Sequence, residues 1–393
     1  MERQKFSADL VFDGSRFLEK DTVVVVDGAG AIEALVPAAD AGGEVKHLQG
    51  ILLPGLINAH CHLELSHFKG IIPPGGGLAK FLLSVVGKRK EPWDEQLKRE
   101  QIANAAAEMK AAGIVAIGDI CNTADAIETK LASGPRWHNL VEVLNFTDET
   151  LAPRMAHNQQ VLDAHLAAGL TSSTLTPHAP YSVTAATFDA INKATAGNII
   201  SVHNQETPAE DALFVTGKSE FDQLYALTGT APLGPSGRSS LQTWLPHFTE
   251  GQTIILVHNT FTSPEDVAFA QVHAAQHGLQ VHFCLCPNAN RYIEDSLPPA
   301  TMFLEKGAGL LLGTDSYSSN WQLSIAAEIK TLADHFPEVP LEVWLAAATR
   351  NGATAFGWTD LGRLEVGLRP GLTLLHTNKD GGITGTSSRV DFK

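Results

Sequence analysis

Eight short apolar segments of strand-like composition run through the chain, separated by stretches long enough for helices. The segments are 51–58, 114–119, 140–146, 173–178, 199–203, 253–258, 281–286 and 310–315. Strands that alternate with helices build parallel sheets, and eight such units close a (β/α)8 barrel. The pattern therefore predicts an α/β fold built on a TIM-like barrel.

Both ends of the chain have a different character, with short β-type runs between Gly and Asp turns. Runs of this kind occur at 8–12, 22–26, 31–36 and 362–376. Because the two ends match in style, we expect them to combine into one small β-sandwich beside the barrel. The predicted domains are a β-sandwich from residues 1–53 and 362–393 and a metal-dependent catalytic barrel from residues 54–361.

Polar residues that can bind a ligand or move a proton follow five of the apolar strands. They are His60 with His62, His178, His203, His258 and Asp315. Catalytic groups of a (β/α)8 barrel gather at the C-terminal ends of the strands, because the loops there meet at one mouth. A doubly wound sheet also places ligands at strand ends, but only near the point where its strand order reverses. The barrel is therefore the preferred architecture.

Two of these residues, His60 and His62, are candidates for one metal site. Side chains two apart in a strand point to the same side, so both rings can reach one ion. With His203 and Asp315 they make a set of three nitrogens and one oxygen that suits Zn²⁺, which is favoured, or Fe²⁺. The alternatives are ordinary histidines near a turn and, for Asp315, a cap of the next helix.

Three residues are candidates for proton transfer beside that metal. A bound divalent ion lowers the pKa of a coordinated water toward about 7, and Asp315 is placed to take the proton of the water. Glu206, three residues after His203, is placed to carry a proton to a substrate ring nitrogen; a helix-capping carboxylate is the alternative. His258 is expected to orient the attacking oxygen, since three histidines and one aspartate already supply four ligands.

Two further residues are candidates for contact with substrate. His178 is expected to touch substrate and not metal, with a core or turn histidine as the alternative. Glu64, two residues beyond His62, is expected to face the pocket and to contact substrate or a group behind the ligands. Asn288 and Asn290 stay open between donating hydrogen bonds to a ligand and forming a turn.

Composition narrows the class of partner. The formal net charge is −15, and no cluster of Lys and Arg offsets it, which argues against nucleic acid and favours small uncharged or cationic substrates. A membrane span is not expected, because it needs a run of roughly 18 or more apolar residues. The first residues lack the apolar core of an export signal, and the 4 cysteines stand in apolar contexts. We therefore expect a cytoplasmic protein without disulfides, with an oligomer left open.

The motifs resemble those of the amidohydrolase superfamily over nearly the whole chain. They are Pro54-Gly55, His60-Cys61-His62-Leu63-Glu64, Pro177-His178-Ala179-Pro180-Tyr181, His203-x-x-Glu206-Thr207, His258 and Gly313-Thr314-Asp315-Ser316. Specifically, they resemble its mononuclear aminohydrolases, which include adenosine-, S-adenosylhomocysteine-, aminodeoxyfutalosine- and guanine-type deaminases and triazine chlorohydrolases. The resemblance implies roles for seven residues. These are metal ligands at His60, His62, His203 and Asp315, proton transfer at Glu206 and His258, and a substrate contact at His178.

The resemblance also implies a reaction. No lysine stands at a strand end between Asp119 and His178, so the carboxylated lysine of dinuclear relatives is absent and one metal is expected. The implied activity is hydrolytic deamination of an amino-substituted nitrogen heterocycle, with a 6-aminopurine nucleoside such as an adenosine derivative or aminodeoxyfutalosine favoured. One alternative is a hydrolase of carbon–chlorine, amide or cyclic-amide bonds. A second is a non-catalytic barrel scaffold, which the complete set of ligands disfavours.

Overall fold

A computed structural model describes residues 3–392 of the chain. Its strands are β1 Gln4–Val11, β2 Thr22–Val26, β3 Ile32–Pro37, β4 Lys46–Pro54, β5 Leu56–Cys61, β6 Ile114–Cys121, β7 Arg136–Val143, β8 Ser173–Pro177, β9 Ile199–Asn204, β10 Thr253–His258, β11 Gln280–Leu285, β12 Leu310–Leu312, β13 Leu372–Thr377 and β14 Ile383–Arg389. Its helices are α1 Ala38–Ala41, α2 Leu78–Arg89, α3 Glu95–Ala111, α4 Ile127–Ser133, α5 Leu151–Ala167, α6 Ala185–Ala194, α7 Pro208–Thr216, α8 Asp222–Thr228, α9 Ser240–Trp244, α10 Pro264–His277, α11 Pro287–Glu294, α12 Ala300–Glu305, α13 Ile325–His335, α14 Leu341–Ala347 and α15 Arg350–Ala355. Within residues 3–392, none of these helices has both the length and the apolar character that crossing a membrane requires.

The two ends of the chain meet in one six-stranded sheet with the order β14-β13-β4-β1-β2-β3. Strand β4 joins them, because it pairs in parallel with β1 along one edge and antiparallel with β13 along the other. The prediction of one small β-unit made from both termini is thereby confirmed. Its strands form a single sheet instead of the two sheets of a sandwich. The reason is that β4 pairs with the N-terminal β1 on one side and with the C-terminal β13 on the other. The domain boundaries at 53/54 and 361/362 stay a prediction.

Eight parallel strands, β5 to β12, form the barrel as two four-stranded halves with the orders β5-β6-β7-β8 and β12-β11-β10-β9. One seam lies between β8 and β9, where the amide of His203 donates to the carbonyl of His178 over 2.9 Å. At the other seam, the amides of Thr314 and Asp315 donate to the carbonyl of His60. The predicted (β/α)8 architecture is therefore confirmed.

Each barrel strand is buried on both faces, as parallel strands covered by helices are. Toward the barrel axis, Ile57, Val257 and Leu311 belong to one apolar cluster that Phe356 and Trp358 cover. Outward-facing residues of the same strands pack against the surrounding helices in a second, larger cluster. These two layers hold the strand ends, and therefore the side chains that follow them, in fixed positions.

The predicted first barrel strand, 51–58, is in fact divided between two sheets. Strand β4 ends at Pro54 in the terminal sheet, and β5 begins at Leu56 in the barrel. Gly55 lies between them, where its amide faces the carbonyls of Pro370 and Gly371, and a Cβ at this position would lie 2.3 Å from Val115. Only glycine fits such a close approach. The apolar run is continuous in sequence, but the chain changes sheets at this residue.

The predicted last strand, 310–315, is shorter than expected. Strand β12 contains only Leu310–Leu312, and the chain turns at Gly313. A Cβ on Gly313 would lie 2.8 Å from the Cβ of His60 and 3.0 Å from the sulfur of Cys284. The turn therefore passes directly against β5, and it brings Asp315 next to the first histidine pair.

Candidate metal centre and active site

The predicted metal ligands lie at one end of the barrel, because its strands are parallel and each ligand lies at or just after the end of one strand. His60 lies within β5 and His62 directly after it, His203 lies within β9, and Asp315 lies in the turn after β12. All four are buried. Because the carboxyl ends of parallel strands share one mouth, residues far apart in sequence meet here.

The four side chains place their donor atoms around one point. His62 Nε2 lies 3.2 Å from His60 Nε2 and 3.1 Å from His203 Nε2. Asp315 Oδ1 lies 3.4 Å from His60 Nε2 and 3.3 Å from His62 Nε2. Ligands at 2.0–2.1 Å from a tetrahedral metal are about 3.3 Å apart. The donor set therefore fits one divalent cation.

His258 reaches the same cluster from the end of β10. Its ring lies with His60, His203 and Asp315 in a group whose ligand atoms are all within 4.8 Å of one another. Its Nδ1 lies 3.5 Å from the side-chain oxygen of Asn290, whose amide nitrogen donates to the hydroxyl of Thr260. The geometry allows His258 either to bind the metal or to orient the attacking oxygen, the role expected from the sequence.

Burial sets the charge state of the cluster. It lowers the pKa of His62 and of His258 to about 4, so both rings are neutral, the form that binds metal. Burial alone would raise the pKa of Asp315, but the hydrogen bond from His60 and the nearby histidines hold it well below its usual range. The Ser319 hydroxyl also donates to Asp315 Oδ2.

The backbone at two of these residues is strained. Asp315 has φ of 56° and His258 has φ of 73°, which is the left-handed region that non-glycine residues rarely adopt. Such strain persists where surrounding structure enforces it, and it clusters at functional sites. Helix α13 begins at Ile325 and its cap is Ser324, so Asp315 is not the helix cap that the sequence left open.

Glu206 lies beside His258, in the loop between β9 and α7. Its Oε1 is 3.6 Å from His258 Nε2. Burial raises the pKa of Glu206 well above its ordinary value, and the charge of Asp315 adds to this shift. Helix α7 is capped by Thr207, whose side chain accepts from the amide of Ala209, so the cap is not Glu206. The carboxyl lies where it can donate to a ligand in the cavity, and its raised pKa favours the protonated form.

A cavity of about 220 Å³ opens over the cluster. His62, His203, Glu206, His258 and Asp315 form part of its wall. The opposite wall is mainly apolar and is formed by side chains of α2 and α8 and by loop residues. Among them are Phe81, Leu82, Phe146, Tyr181, Leu224 and Leu227. A flat ring with an apolar face suits such a pocket, in which a few polar groups fix its orientation.

His178 and Glu142 line the same cavity on the side of β7 and β8. His178 Nδ1 lies 2.6 Å from the Ser182 hydroxyl, and burial lowers the pKa of His178. Burial alone would raise the pKa of Glu142, but His178 and His62 outweigh it and the pKa lies below its ordinary value. An ionised carboxylate therefore faces the cavity at a position that the sequence reasoning did not single out.

The sequence matches the model of a known protein family. A model described as Amidohydrolase family matches residues 51–389. The chain belongs to the amidohydrolase family. Because this family hydrolyses its substrates, the protein is a hydrolytic enzyme that acts on carbon–nitrogen bonds, as the sequence predicted.

Relatives of this amidohydrolase include two named deaminases. The 5-methylthioadenosine/S-adenosylhomocysteine deaminase of Teredinibacter turnerae is 26% identical over 343 residues, which are 84% of this chain and 72% of the relative. The 5'-deoxyadenosine deaminase of Methanosarcina barkeri is 26% identical over 387 residues, 92% of this chain and 81% of the relative. Aminofutalosine deaminase of Helicobacter pylori, solved with methylthio-coformycin, has a TM-score of 0.80 at 22% identity, covering 97% of this chain and 94% of that chain.

Glu64 is a predicted site residue that the amidohydrolase structure does not bring to the metal cluster. Both of its oxygens accept backbone hydrogen bonds, from Asn122 at 3.0 Å and Thr123 at 3.1 Å. Burial raises its pKa to about 7. The contacts tie the loop after β6 to the turn after β5, and a substrate contact by Glu64 stays a prediction. Asn288 likewise makes structural contacts, with Glu328 and Thr331.

Proposed function

We propose that this amidohydrolase is a metal-dependent deaminase that hydrolyses the exocyclic amine of an adenosine derivative and releases ammonia. The observation that carries the proposal is the position of Glu206. Its carboxyl lies 3.6 Å from His258 in the cavity that the histidine and aspartate cluster also lines, and burial raises its pKa well above the ordinary value. Two relatives that are named as deaminases of adenosine derivatives support this choice of substrate class.

The residues divide the proton transfers between them. The metal, when bound, makes water acidic enough to react at neutral pH. Glu206 donates its proton to the ring nitrogen beside the amine-bearing carbon, which makes that carbon electrophilic. His258 holds the attacking oxygen in place. Asp315 accepts one proton of the water and passes it to the leaving amine, which departs as ammonia. The remaining proton of the added hydroxyl returns to Glu206 as the product carbonyl forms.

For the metal, we propose one Zn²⁺ per chain, held by His60, His62, His203 and Asp315, with Fe²⁺ as the alternative. Three nitrogens and one oxygen at tetrahedral spacing suit zinc. The second polar group at the site, Glu142 with His178, shares His203 with the first. The sequence has no lysine at a strand end between Asp119 and His178 that could bridge two ions. A small-molecule substrate, a cytoplasmic location, the absence of nucleic-acid and membrane partners, and any oligomer stay predictions.

The ligand set predicts the result of removing one histidine. His203→Ala is expected to lose most of the metal, because three remaining ligands no longer enclose it, and activity should fall with it. Elemental analysis of the purified wild type should give about one metal per chain. Two tightly bound ions per wild-type chain, or full metal content in the variant, would contradict this assignment.

A substrate screen tests the proposed reaction. Adenosine, its 5′-substituted analogues, aminodeoxyfutalosine, guanine and pterins are incubated with the metal-loaded protein. Ammonia release from an adenine-containing nucleoside, with loss of the adenine absorbance band, is the expected result. If none of these compounds releases ammonia while a cyclic amide or a chlorinated ring is turned over, the alternative hydrolase replaces the deaminase. Metal-loaded protein that turns over nothing would favour the scaffold.

A further inference from the structure

One carboxylate oxygen in the cavity has no partner. Glu142, near the end of β7, is 4% exposed and lines the cavity. Its Oε2 accepts a hydrogen bond of 3.0 Å from the side-chain amide of Asn122. Its Oε1 is buried and accepts no hydrogen bond. Buried polar groups are nearly always paired, so an unpaired one at a functional site calls for a ligand.

A second hydrogen bond fixes the orientation of the side-chain amide of Asn122. Arg89 donates to the side-chain oxygen of Asn122 over 2.7 Å, which leaves the amide nitrogen to face Glu142. The donor of Asn122 is therefore committed to Oε2. The free acceptor is Oε1, and it stays free whichever way the neighbouring histidine protons are placed.

The two neighbouring histidines, His178 and His203, make their Nδ1 hydrogen bonds with groups other than Glu142. His203 Nδ1 makes a 2.8 Å hydrogen bond with the backbone oxygen of His178, and it lies 3.7 Å from Glu142 Oε1, which is too far for a hydrogen bond. His178 Nδ1 pairs with Ser182. A role for Oε1 in orienting the metal ligand His203 is thereby removed, and the oxygen remains available to a ligand.

We propose that Glu142 Oε1 accepts a hydrogen bond from a hydroxyl group on the ring substituent of the substrate, and that Glu142 thereby determines specificity. The inference rests on the proposed deaminase function. With the amine-bearing carbon at the metal cluster and its ring nitrogen at Glu206, the donors left on an adenosine derivative are the sugar hydroxyls. Glu142 Oε1 lies 3.7 Å from Nδ1 of His203, the ring nitrogen that faces away from the metal cluster, and it lines the same cavity as Glu206.

Glu142→Gln tests this with little change of shape. The oxygen of the new amide keeps the bond from Asn122, so its NH₂ takes the place of Oε1, and the hydroxyl loses its charged acceptor and meets only a neutral donor. We expect kcat/KM for adenosine to fall on the order of 10- to 100-fold. For 2′,3′-dideoxyadenosine, which lacks the hydroxyls, the change should be under about threefold, and 2′-deoxy- and 3′-deoxyadenosine identify the contacting oxygen.

The ratio of the two kcat/KM values is the readout, because a merely structural defect or lost metal lowers both equally. Glu210→Gln, which changes another buried glutamic acid, is the matched control and should keep the wild-type ratio. Should Glu142→Gln not fold, Glu142→Asp, which withdraws the oxygen, should lower the same ratio. Equal losses on both nucleosides, or no loss, overturn the inference while the deaminase stands. A wild type that releases ammonia from no nucleoside overturns both.

Discussion

Glu206→Gln is expected to lower turnover by about 10²-fold or more while the metal content stays at the wild-type level. Glutamine keeps the size of the side chain but has no proton to give to a ring nitrogen. Burial raises the pKa of Glu206 well above its ordinary value, which favours the protonated form that this role requires. Steady-state ammonia release and elemental analysis of the same preparation measure the two quantities.

Glu210→Gln is the matched control for this experiment. Glu210 is fully buried. Its Oε1 accepts hydrogen bonds from the backbone N–H of Gln205 and from the hydroxyl of Ser240. Burial raises its pKa to about 8, so at pH 7 the substitution replaces one neutral group by another, and near wild-type turnover is expected. Full activity in Glu206→Gln, or loss of its metal, would show that Glu206 is not the proton donor.

The convergence of the histidines and Asp315 is predictable from sequence because each follows an apolar strand. A barrel converts that one-dimensional position into a shared location at the mouth. Glu142 was missed for the same reason, since it lies inside the apolar run 140–146 and not after it. The signal was a single charged residue within a buried strand. Such a residue reaches the cavity only if the strand ends close to it. Strand β7 ends at Val143, directly after Glu142, and composition does not predict that end.

Glu64 illustrates a different limit. Its expected position assumed that the strand geometry of His60 and His62 continues, with alternate side chains on one side. The chain instead enters a 3₁₀ turn over Leu63–Phe68, so the two-residue period ends at His62. Glu64 is directed to the backbone of Asn122 and Thr123. Local composition does not reveal this change, because the turn is stabilised by contacts with a loop about sixty residues away.

The fold, too, is predictable from the sequence only in part. The order of strands and helices follows from composition and spacing, and the barrel follows from their number. The break between β4 and β5 at Gly55, however, depends on the C-terminal segment, whose Pro370 and Gly371 lie against it. Long-range contacts therefore decide which sheet each half of a continuous apolar run joins.

Lys130→Met is expected to lower the free energy of unfolding by about 3–5 kcal/mol. Lys130 of α4 and Asp119 of β6 form an ion pair of 2.7 Å whose side chains are both 0% exposed. Burial alone would lower the pKa of Lys130, but the charge of Asp119 outweighs it and the pKa lies above its ordinary value. Removing the cation leaves the carboxylate charged and buried, which is the costly case.

A second substitution separates the pair from the loss of packing. Asp119 Oδ1 accepts from the amide of Leu63 over 2.8 Å, and asparagine can keep that bond without a charge. The double variant Lys130→Met with Asp119→Asn should therefore recover part of the lost stability in urea unfolding. Since Leu63 directly follows His62, the single variant should also retain metal less well than the double. A Lys130→Met protein within about 1 kcal/mol of wild type would show that the pair contributes little.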